Sequence, residues 1–495
     1  MNKSIHYLAV DLGAESGRTI IGQFDGSRLE LLENHRFPNG GIRVPEYSGR
    51  SSLRWDVLRL WSEMKDGIRR AVRKDGLELA SIGIDTWGVD YALLNRNGSL
   101  ISVPFNYRDS RTDGMMERAF QRISRKEIFE LTGIQFMPIN SLFQLFSMVL
   151  EDSPELEGAE RFLTIPDLLN FWLTGQAVCE FTNATTTQCY DPRGRCWAQP
   201  LLSALGIPGH IFPEVILPGT TLGSLSRPVA EELGTQATVV APACHDTGSA
   251  VAAVPSETDD FAWISSGTWS VMGMNVPEPV INPQSLEFNF TNEGGIGGSY
   301  RFSKNVMGLW LVQECRRTWA SEGEELSYAE LTSLAAGAPA LVSIVDPDYA
   351  EFLHPGDMPA RVREFCRRTQ QPLPESKGQL VRCLLESIAL KYRLVLERLE
   401  IITGRRLSTI HIVGGGTKNQ LLNQFTADAT GRWVIAGPAE ATATGNILLQ
   451  ALALGHIGSP EEGREIVRNS FEPAIYEPQD QTGWDEAYQR LFEVM

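Results

Sequence analysis

Long apolar runs are missing from this chain. None approaches the ~18 residues that a bilayer-spanning helix needs, and Met1-Asn2-Lys3-Ser4-Ile5 leads straight into a strand pattern, so the expected location is cytoplasmic. Positive charge is in deficit. With 44 Lys and Arg against 61 Asp and Glu, the formal net charge of -17 argues against nucleic acid or an anionic membrane surface as the main partner. Cysteine is sparse, with 7 residues, an odd number, no Cys-x-x-Cys pair and no Cys/His spacing suited to zinc. Reduced, buried thiols are therefore expected, including the closely spaced Cys179, Cys189 and Cys196. No segment is low in complexity. No Gly-Lys-Ser/Thr follows a glycine-rich turn, which excludes a Walker loop.

What is there is the composition of well-packed globular domains: 42% hydrophobic and 21% charged residues over 495 positions. That length exceeds a single compact core and predicts two domains of roughly 200–250 residues. The expected boundaries are residues 1–252 for the first lobe, 253–460 for the second and 461–495 for a polar helical tail.

The central stretch is Val239 to Ala253. An apolar β-branched run feeds Cys244-His245-Asp246-Thr247, and a small-residue helix follows. Asp246 thus falls where a strand stops and a helix begins, a setting whose free N–H groups and dipole keep a carboxylate ionised. It reads either as the cap of that helix or as a carboxylate facing a ligand. The N-terminus, Tyr7 to Phe24, is a pair of strands around the turn Gly13-Ala14-Glu15-Ser16, with a third strand at Leu29-Glu30-Leu31-Leu32. Such a turn suits a phosphate, and Asp11 leaves the first strand where a hydrated Mg²⁺ can sit; the plainer reading is a hairpin with a surface Asp.

An amphipathic helix over Val57–Val72 leads to a strand over Ala80–Asp85, which puts Asp85, Trp87 and Asp90 at a carboxyl end, the usual place for ligands in α/β sheets. Tyr107-Arg108-Asp109-Ser110-Arg111 is a second polar cluster, either sugar-facing or an ion-paired loop. Residues 181–188 read as a pocket wall or an extended strand. The strand–turn–strand design recurs at Phe261–Met274 around Ser265-Ser266-Gly267-Thr268, which suggests a duplicated α/β domain. Asn305 to Gln313 reads as a polar-started helix. A strand at Thr409–Val413 runs into Gly414-Gly415-Gly416, where bare backbone can approach a nucleoside. The helix after it and the segment Gly445–Leu454 are expected to close the second lobe.

In order along the chain, Asp11 to Arg18, Ile84 to Asp90, Tyr107 to Arg111, Asn183 to Gln188, His245-Asp246-Thr247, Ser265 to Ser270, Thr291 to Gly295 and His411 to Gly416 resemble the FGGY carbohydrate kinases. The resemblance spans about Tyr7 to Leu454. It implies an α/β fold of two actin-like, ribonuclease-H-like lobes with a nucleotide cleft between them, ATP and Mg²⁺ as cofactors, and a small-molecule sugar as the other partner. The implied reaction is phosphorylation of L-rhamnulose on its primary hydroxyl. Another ketose kinase (L-fuculose, L-ribulose or D-xylulose) is the alternative, and a non-catalytic actin-like ATPase a more distant one. No nucleic-acid or membrane partner is implied, and the expected state is a monomer or small homo-oligomer.

Carried over by motif, Asp246 becomes the proton acceptor, and Gly88, His245 and Thr247 lie beside the sugar, with Asp85 and Trp87 near them. Ala14, Glu15, Ser16, Gly17 and Arg18 line the phosphates, as does Thr268; Asn305, Gln313 and Gly415 complete the nucleotide site. Glu15 departs from the family's small residue. Its side chain must point away from a triphosphate or help hold Mg²⁺, and its N–H can serve in either case.

Overall fold

The computed structural model describes residues 4–47, 49–258 and 260–495; Met1, Asn2 and Lys3, read above as entering the first strand, lie outside them. The chain divides into two compact units. One comprises residues 1–255, 275–302 and 441–470, and the other comprises 256–274, 303–440 and 471–495.

The first unit is built on a six-stranded sheet in the order Thr220–Ser224, Thr238–Ala241, Leu79–Thr86, Ile5–Leu12, Ser16–Phe24, Leu29–Pro38. The last three form the expected antiparallel meander, while Ile5–Leu12, Leu79–Thr86 and Thr238–Ala241 run parallel. Tyr7-Leu8-Ala9-Val10 is buried throughout, as in strands covered on both faces. One face receives the helix Val57–Arg69, capped by the Asp56 side chain on the Arg59 N–H and burying Val57, Leu60, Met64 and Ile68. The other receives the helix Ala441–Ala453, which is buried nearly all round. Glycines in the strands make room for it: a Cβ on Gly22 would stand 2.6 Å from Ile447, and one on Gly83 2.4 Å from Asn446.

The strands that lie wholly or mostly in the second unit run in the order Tyr300–Met307, Trp269–Val276, Phe261–Ser266, Thr409–Val413, Trp433–Ala436, Ala474–Tyr476. Its longest element, Lys377–Thr403, starts with a capping box of Ser376 and Gln379 and stops at Gly404 in the left-handed conformation.

Residues 275–302 and 441–470, which fall within the expected second lobe, cluster with the first unit. The tail expected to be helical holds the helices Pro460–Ser470 and Trp484–Val494, and between them the strand Ala474–Tyr476, which pairs with Trp433–Ala436; Trp484, Tyr488 and Leu491 are buried. Asn305 lies in the strand Tyr300–Met307, and the helix begins at Trp310; Gly308 separates them, its backbone so close to the Trp269–Ser270 turn that a Cβ would stand 2.6 Å from Ser270 Oγ. Residues 181–187 are helical. Glu180 accepts from the Thr182 N–H at 2.9 Å, and Thr185, Thr186 and Thr187 donate to carbonyls three or four residues back, which satisfies the backbone locally and removes the need for a strand partner.

Candidate functional site

The expected site residues fall into two sets, one on each unit. In the first unit, parallel strands bring polar residues to one edge of the sheet: Asp11 is in register with Asp85, and Thr86 bridges His245. The Thr86 N–H donates to the Cys244 carbonyl at 2.9 Å, and the Trp87 N–H to Leu12 at 3.3 Å. Thus the three segments that sequence separates by some 230 positions end side by side.

Asp246 is the first residue of the helix Asp246–Ala252. Its Oδ1 accepts from the Thr247 N–H at 2.5 Å and the Thr247 hydroxyl at 3.1 Å, which leaves Oδ2 without a hydrogen bond among the described residues. The side chain keeps 31% of its surface open. The helix N-terminus does not hold this carboxyl at its usual acidity, as the sequence suggested: burial first, with the charge of Asp11 against the opposing pull of His245, raises its pKa. Asp85 is fully buried, and burial followed by the charge of Asp11 pushes it well above the carboxylate range. Its Oδ2 accepts from Asn446 at 2.5 Å, and its Oδ1 has no hydrogen-bond partner among the described residues. Asp11 Oδ2 takes both Arg18 Nε at 3.0 Å and Nη2 at 2.7 Å. Three carboxyl groups and one guanidinium are thus brought together, with Asp11 bonded to Arg18 and the Asp85 and Asp246 carboxyls raised in pKa.

The turn over Gly13-Ala14-Glu15 is pinned rather than loose. The Gly13 N–H donates to Ser16, Asn39 Nδ2 donates to the Gly13 carbonyl at 2.7 Å, and the Asn39 N–H to the Glu15 carbonyl at 3.0 Å. Glu15 itself is exposed. Gly17 cannot carry a side chain, since a Cβ would stand 2.2 Å from the Phe37 ring. Asn39 had no motif to announce it; the sequence signal for it, one Asn beside two glycines, is too common to use.

Gly88 packs against Thr186, with a Cβ at 3.0 Å, and Val89 takes φ 67°, an unusual conformation for a β-branched residue that surrounding contacts must enforce. They do. The Val89 N–H donates to Thr186 Oγ1 at 3.0 Å, and its carbonyl accepts from Gln144 at 3.3 Å. Asn183 Nδ2 reaches both the Trp87 and Cys244 carbonyls at 3.4 Å, tying the Gly88 loop to the Asp246 loop. Trp87 and Asp85, expected near the sugar, are committed to protein partners here. The Trp87 ring lies 4.0 Å from that of Trp55, and both indole N–H groups donate to Asp90 Oδ2, at 2.9 and 2.5 Å. Burial raises the Asp90 pKa to about 6 despite those donors. Of the 107–111 cluster, Asp109 accepts from the Leu53 and Arg111 N–H groups, and Arg111 donates to Gln144, which donates to Asp90.

Beneath the Asp246 loop, Glu180 accepts from the Cys244 N–H at 2.9 Å and the Thr182 hydroxyl at 2.5 Å, and that hydroxyl accepts from the His245 N–H at 3.0 Å. Beside it, Glu293 and Arg301 form an ion pair at 3.1 Å, with Arg301 3.0 Å from His245. Burial alone would raise Glu293, but Arg301 and then His245 leave it below its ordinary value. Glu180 and Arg301 were not picked out from the sequence, and Glu293 only as part of a motif without a role.

In the second unit, Thr268 occupies the turn between Phe261–Ser266 and Trp269–Val276, and its carbonyl accepts from Trp310 at 3.1 Å, so the helix bearing Gln313 starts at this turn. Gln313 Oε1 is buried without a hydrogen-bond partner among the described residues. Phe261–Ser266 runs parallel to Thr409–Val413 with Ser265 opposite Val413, and the Gly414–Gly416 turn therefore lies against Ser266, where a Cβ on Gly416 would stand 2.0 Å from Oγ. Gly415 has open space around it. Thr268, Gln313 and Gly415 are thus brought to one end of this sheet. All seven cysteines are unpaired, and Cys196 is exposed rather than buried. No helix among the described residues is long and apolar enough to cross a membrane.

Residues 6–253 match the N-terminal domain, and residues 262–454 the C-terminal domain, of the FGGY family of carbohydrate kinases. A rhamnulokinase of Bacteroides thetaiotaomicron is 44% identical over 98% of this chain and 98% of its own length. One of Oceanobacillus iheyensis is 41% identical over 95% and 97%. In fold, the chain is similar to a ligand-bound xylulose kinase from Lactobacillus acidophilus (TM-score 0.81, 17% identity, 99% and 97% covered) and to the glycerol kinase of Plasmodium falciparum with ADP (0.78, 16%, 99% and 97%).

Proposed function

Because the chain belongs to the FGGY family of carbohydrate kinases, we propose that it transfers the γ-phosphoryl group of ATP to the primary hydroxyl of L-rhamnulose, giving L-rhamnulose 1-phosphate and ADP in the use of L-rhamnose. The choice of sugar rests on one observation: relatives named rhamnulokinase are 38–44% identical over 95–98% of this chain.

The chemistry rests on Asp246. Phosphoryl transfer asks a protein mainly for positioning and charge neutralisation. With Oδ1 held by Thr247, Oδ2 faces the acceptor hydroxyl and takes its proton as the oxygen attacks. A carboxyl raised by burial is a stronger base for that step than an ordinary surface aspartate. Gly88 and the Val89 backbone shape the sugar pocket; Trp87 and Asp90 stiffen it from behind. The Gly13–Ser16 turn, with Arg18, presents N–H groups and charge to the phosphates, and Thr268, Asn305, Gln313 and Gly415 serve the nucleotide.

Mg²⁺ fits the donors present. Among the described residues no group of three or more metal-ligating side chains exists, but Mg²⁺ with a nucleotide needs only one or two carboxylates beside phosphate oxygens and water. Asp11, whose Oδ2 alone is engaged by Arg18, offers its other oxygen. When bound, the ion would neutralise phosphate charge there. The unpaired thiols accord with a reducing cytoplasm.

A coupled ADP-release assay with Mg·ATP tests the reading, run over L-rhamnulose, L-fuculose, L-ribulose, D-xylulose and glycerol. Fastest turnover, by kcat/KM, is expected on L-rhamnulose. Preference for another ketose overturns the sugar assignment, and hydrolysis independent of any sugar overturns the kinase reading.

A further inference from the structure

Behind Asp246 stands a row of buried groups that proton transfer to its Oδ2 leaves unused. Arg301 is 1% exposed. Its Nε donates to the Gly294 carbonyl at 2.8 Å, and its Nη2 lies 3.1 Å from Glu293 Oε2 and 3.0 Å from His245 Nδ1. The far side of the same imidazole faces the base: His245 Nε2 is 3.5 Å from Asp246 Oδ1. Glu293 Oε2 is also 3.3 Å from Nδ1, yet it has no hydrogen bond of acceptable geometry.

A guanidinium can only donate. An Nδ1 that takes the Arg301 bond at 3.0 Å carries the lone pair, and the ring proton then sits on Nε2, pointing at Asp246. The opposite tautomer would set an Nδ1–H against that Arg301 N–H and turn the Nε2 lone pair toward a carboxylate oxygen, and would gain in return only Glu293 Oε2, which at 3.3 Å lacks the geometry of a hydrogen bond. We propose that Arg301, held by Glu293 and Gly294, is a positioning residue that fixes His245 as the Nε2–H tautomer, so that a donor faces Asp246 Oδ1 and the carboxylate keeps Oδ2 turned to the sugar hydroxyl. Glu293 cancels the guanidinium charge locally, so Arg301 acts through the direction of its N–H rather than as a free cation beside the base. The inference rests on the role given to Asp246 above, although the tautomer itself does not.

The test reads both. The full chain is labelled with ¹⁵N-histidine, and His245 is assigned by comparison with His245→Gln; long-range ¹H–¹⁵N spectra then report its tautomer. In the wild type the Nε2-protonated form is expected. In Arg301→Met the Nδ1-protonated or doubly protonated form appears, kcat with Mg·ATP and L-rhamnulose falls ~10- to 100-fold, the scale carried by outer partners of a reactive group elsewhere, and KM for ATP stays within about twofold. Arg301→Lys, which keeps one donor, recovers part of kcat and of the tautomer. An Nδ1-protonated His245 in the wild type overturns the proposal, and this spectrum needs no variant to fold. A folded Arg301→Met with unchanged kcat overturns it as well. If the wild type phosphorylates none of the ketoses, the kinase reading fails, while the wild-type spectrum still decides the tautomer.

Discussion

Gly445 lies so close to Ser249 that a Cβ added to it would stand 1.8 Å from the Ser249 carbonyl oxygen. The two residues belong to the helices Ala441–Ala453 and Asp246–Ala252. The helix that carries the candidate base thus rests on a segment 196 positions further along the chain (445 minus 249), and only a hydrogen in place of a side chain permits the approach. This contact explains why residues 441–470 join the first unit.

Gly445→Ala is therefore expected to displace the base as well as to strain the core. The clash is with backbone oxygen, which cannot rotate away, so the cost is at least that of ordinary overpacking, ~1–3 kcal/mol. Urea denaturation should show it as a lower midpoint. Under conditions where the variant is fully folded, kcat should still fall because Asp246 moves with its helix; full activity in the folded variant would show that the helix position is not critical.

Asp246→Asn separates a base from a structural acceptor, since His245 and not Asp246 is the N-cap of this helix. An Asn keeps an oxygen to accept the Thr247 N–H and hydroxyl, and loss of a desolvated charge relieves the folded state, so the melting temperature should hold or rise. The rate with L-rhamnulose should nonetheless drop ~10²–10⁴-fold, with KM for ATP little altered. Lost stability together with retained turnover would reduce Asp246 to a structural partner of Thr247.

Much of this site was legible because its principal residues follow strands. Asp11, Asp85 and Asp246 each end or follow an apolar run, and sequence shows such junctions directly. What supports them was not legible, because each partner is remote. Asn446 bonds Asp85 across 361 positions and Arg301 meets His245 across 56, and nothing local marks either residue. The same limit hid the packing of the helix Ala441–Ala453 on the first unit's sheet, since its small residues read equally well against any sheet. Asn305 was misread for another reason: Tyr300–Met307 is buried on both faces and so lacks the alternation by which strands are recognised.

Asp90→Asn probes the stiffening of the sugar pocket. Asp90 Oδ2 accepts two indole N–H groups and the Tyr107 N–H, while Oδ1 accepts Gln144. An amide must turn its NH₂ toward one of these sets of donors, leaving at least one buried N–H unpaired at a cost of ~1–3 kcal/mol. The Trp87–Val89 turn should loosen. KM for the ketose is expected to rise several-fold while KM for ATP does not, and steady-state kinetics with each substrate varied in turn would separate the two. An equal rise in both would place Asp90 outside the sugar side.

The pH dependence of stability should carry the signature of Asp167 and Glu180, buried together under the Asp246 loop. Glu180 donates its N–H to Asp167 Oδ1 at 3.1 Å, and Thr164 donates its hydroxyl to Oδ2. Burial first, then the charge of Glu180, lifts Asp167 to about 8 against the donors that oppose it, and burial lifts Glu180 to about 7. Both exceed the unfolded value of about 4, so the folded state binds these protons more tightly. Their contribution to stability is complete below about pH 4 and is lost as pH rises through about 7 to 8. Asn at 167 cannot ionise, yet its oxygen still accepts the Glu180 N–H and its NH₂ can donate to Thr164. Urea midpoints of the wild type measured between pH 5 and 8 should therefore decline more steeply than those of Asp167→Asn, with the two curves parting most at pH 8. Parallel curves would mean that Asp167 changes its ionisation little on folding, and that the loop beneath the candidate base is not the part of the molecule that feels rising pH.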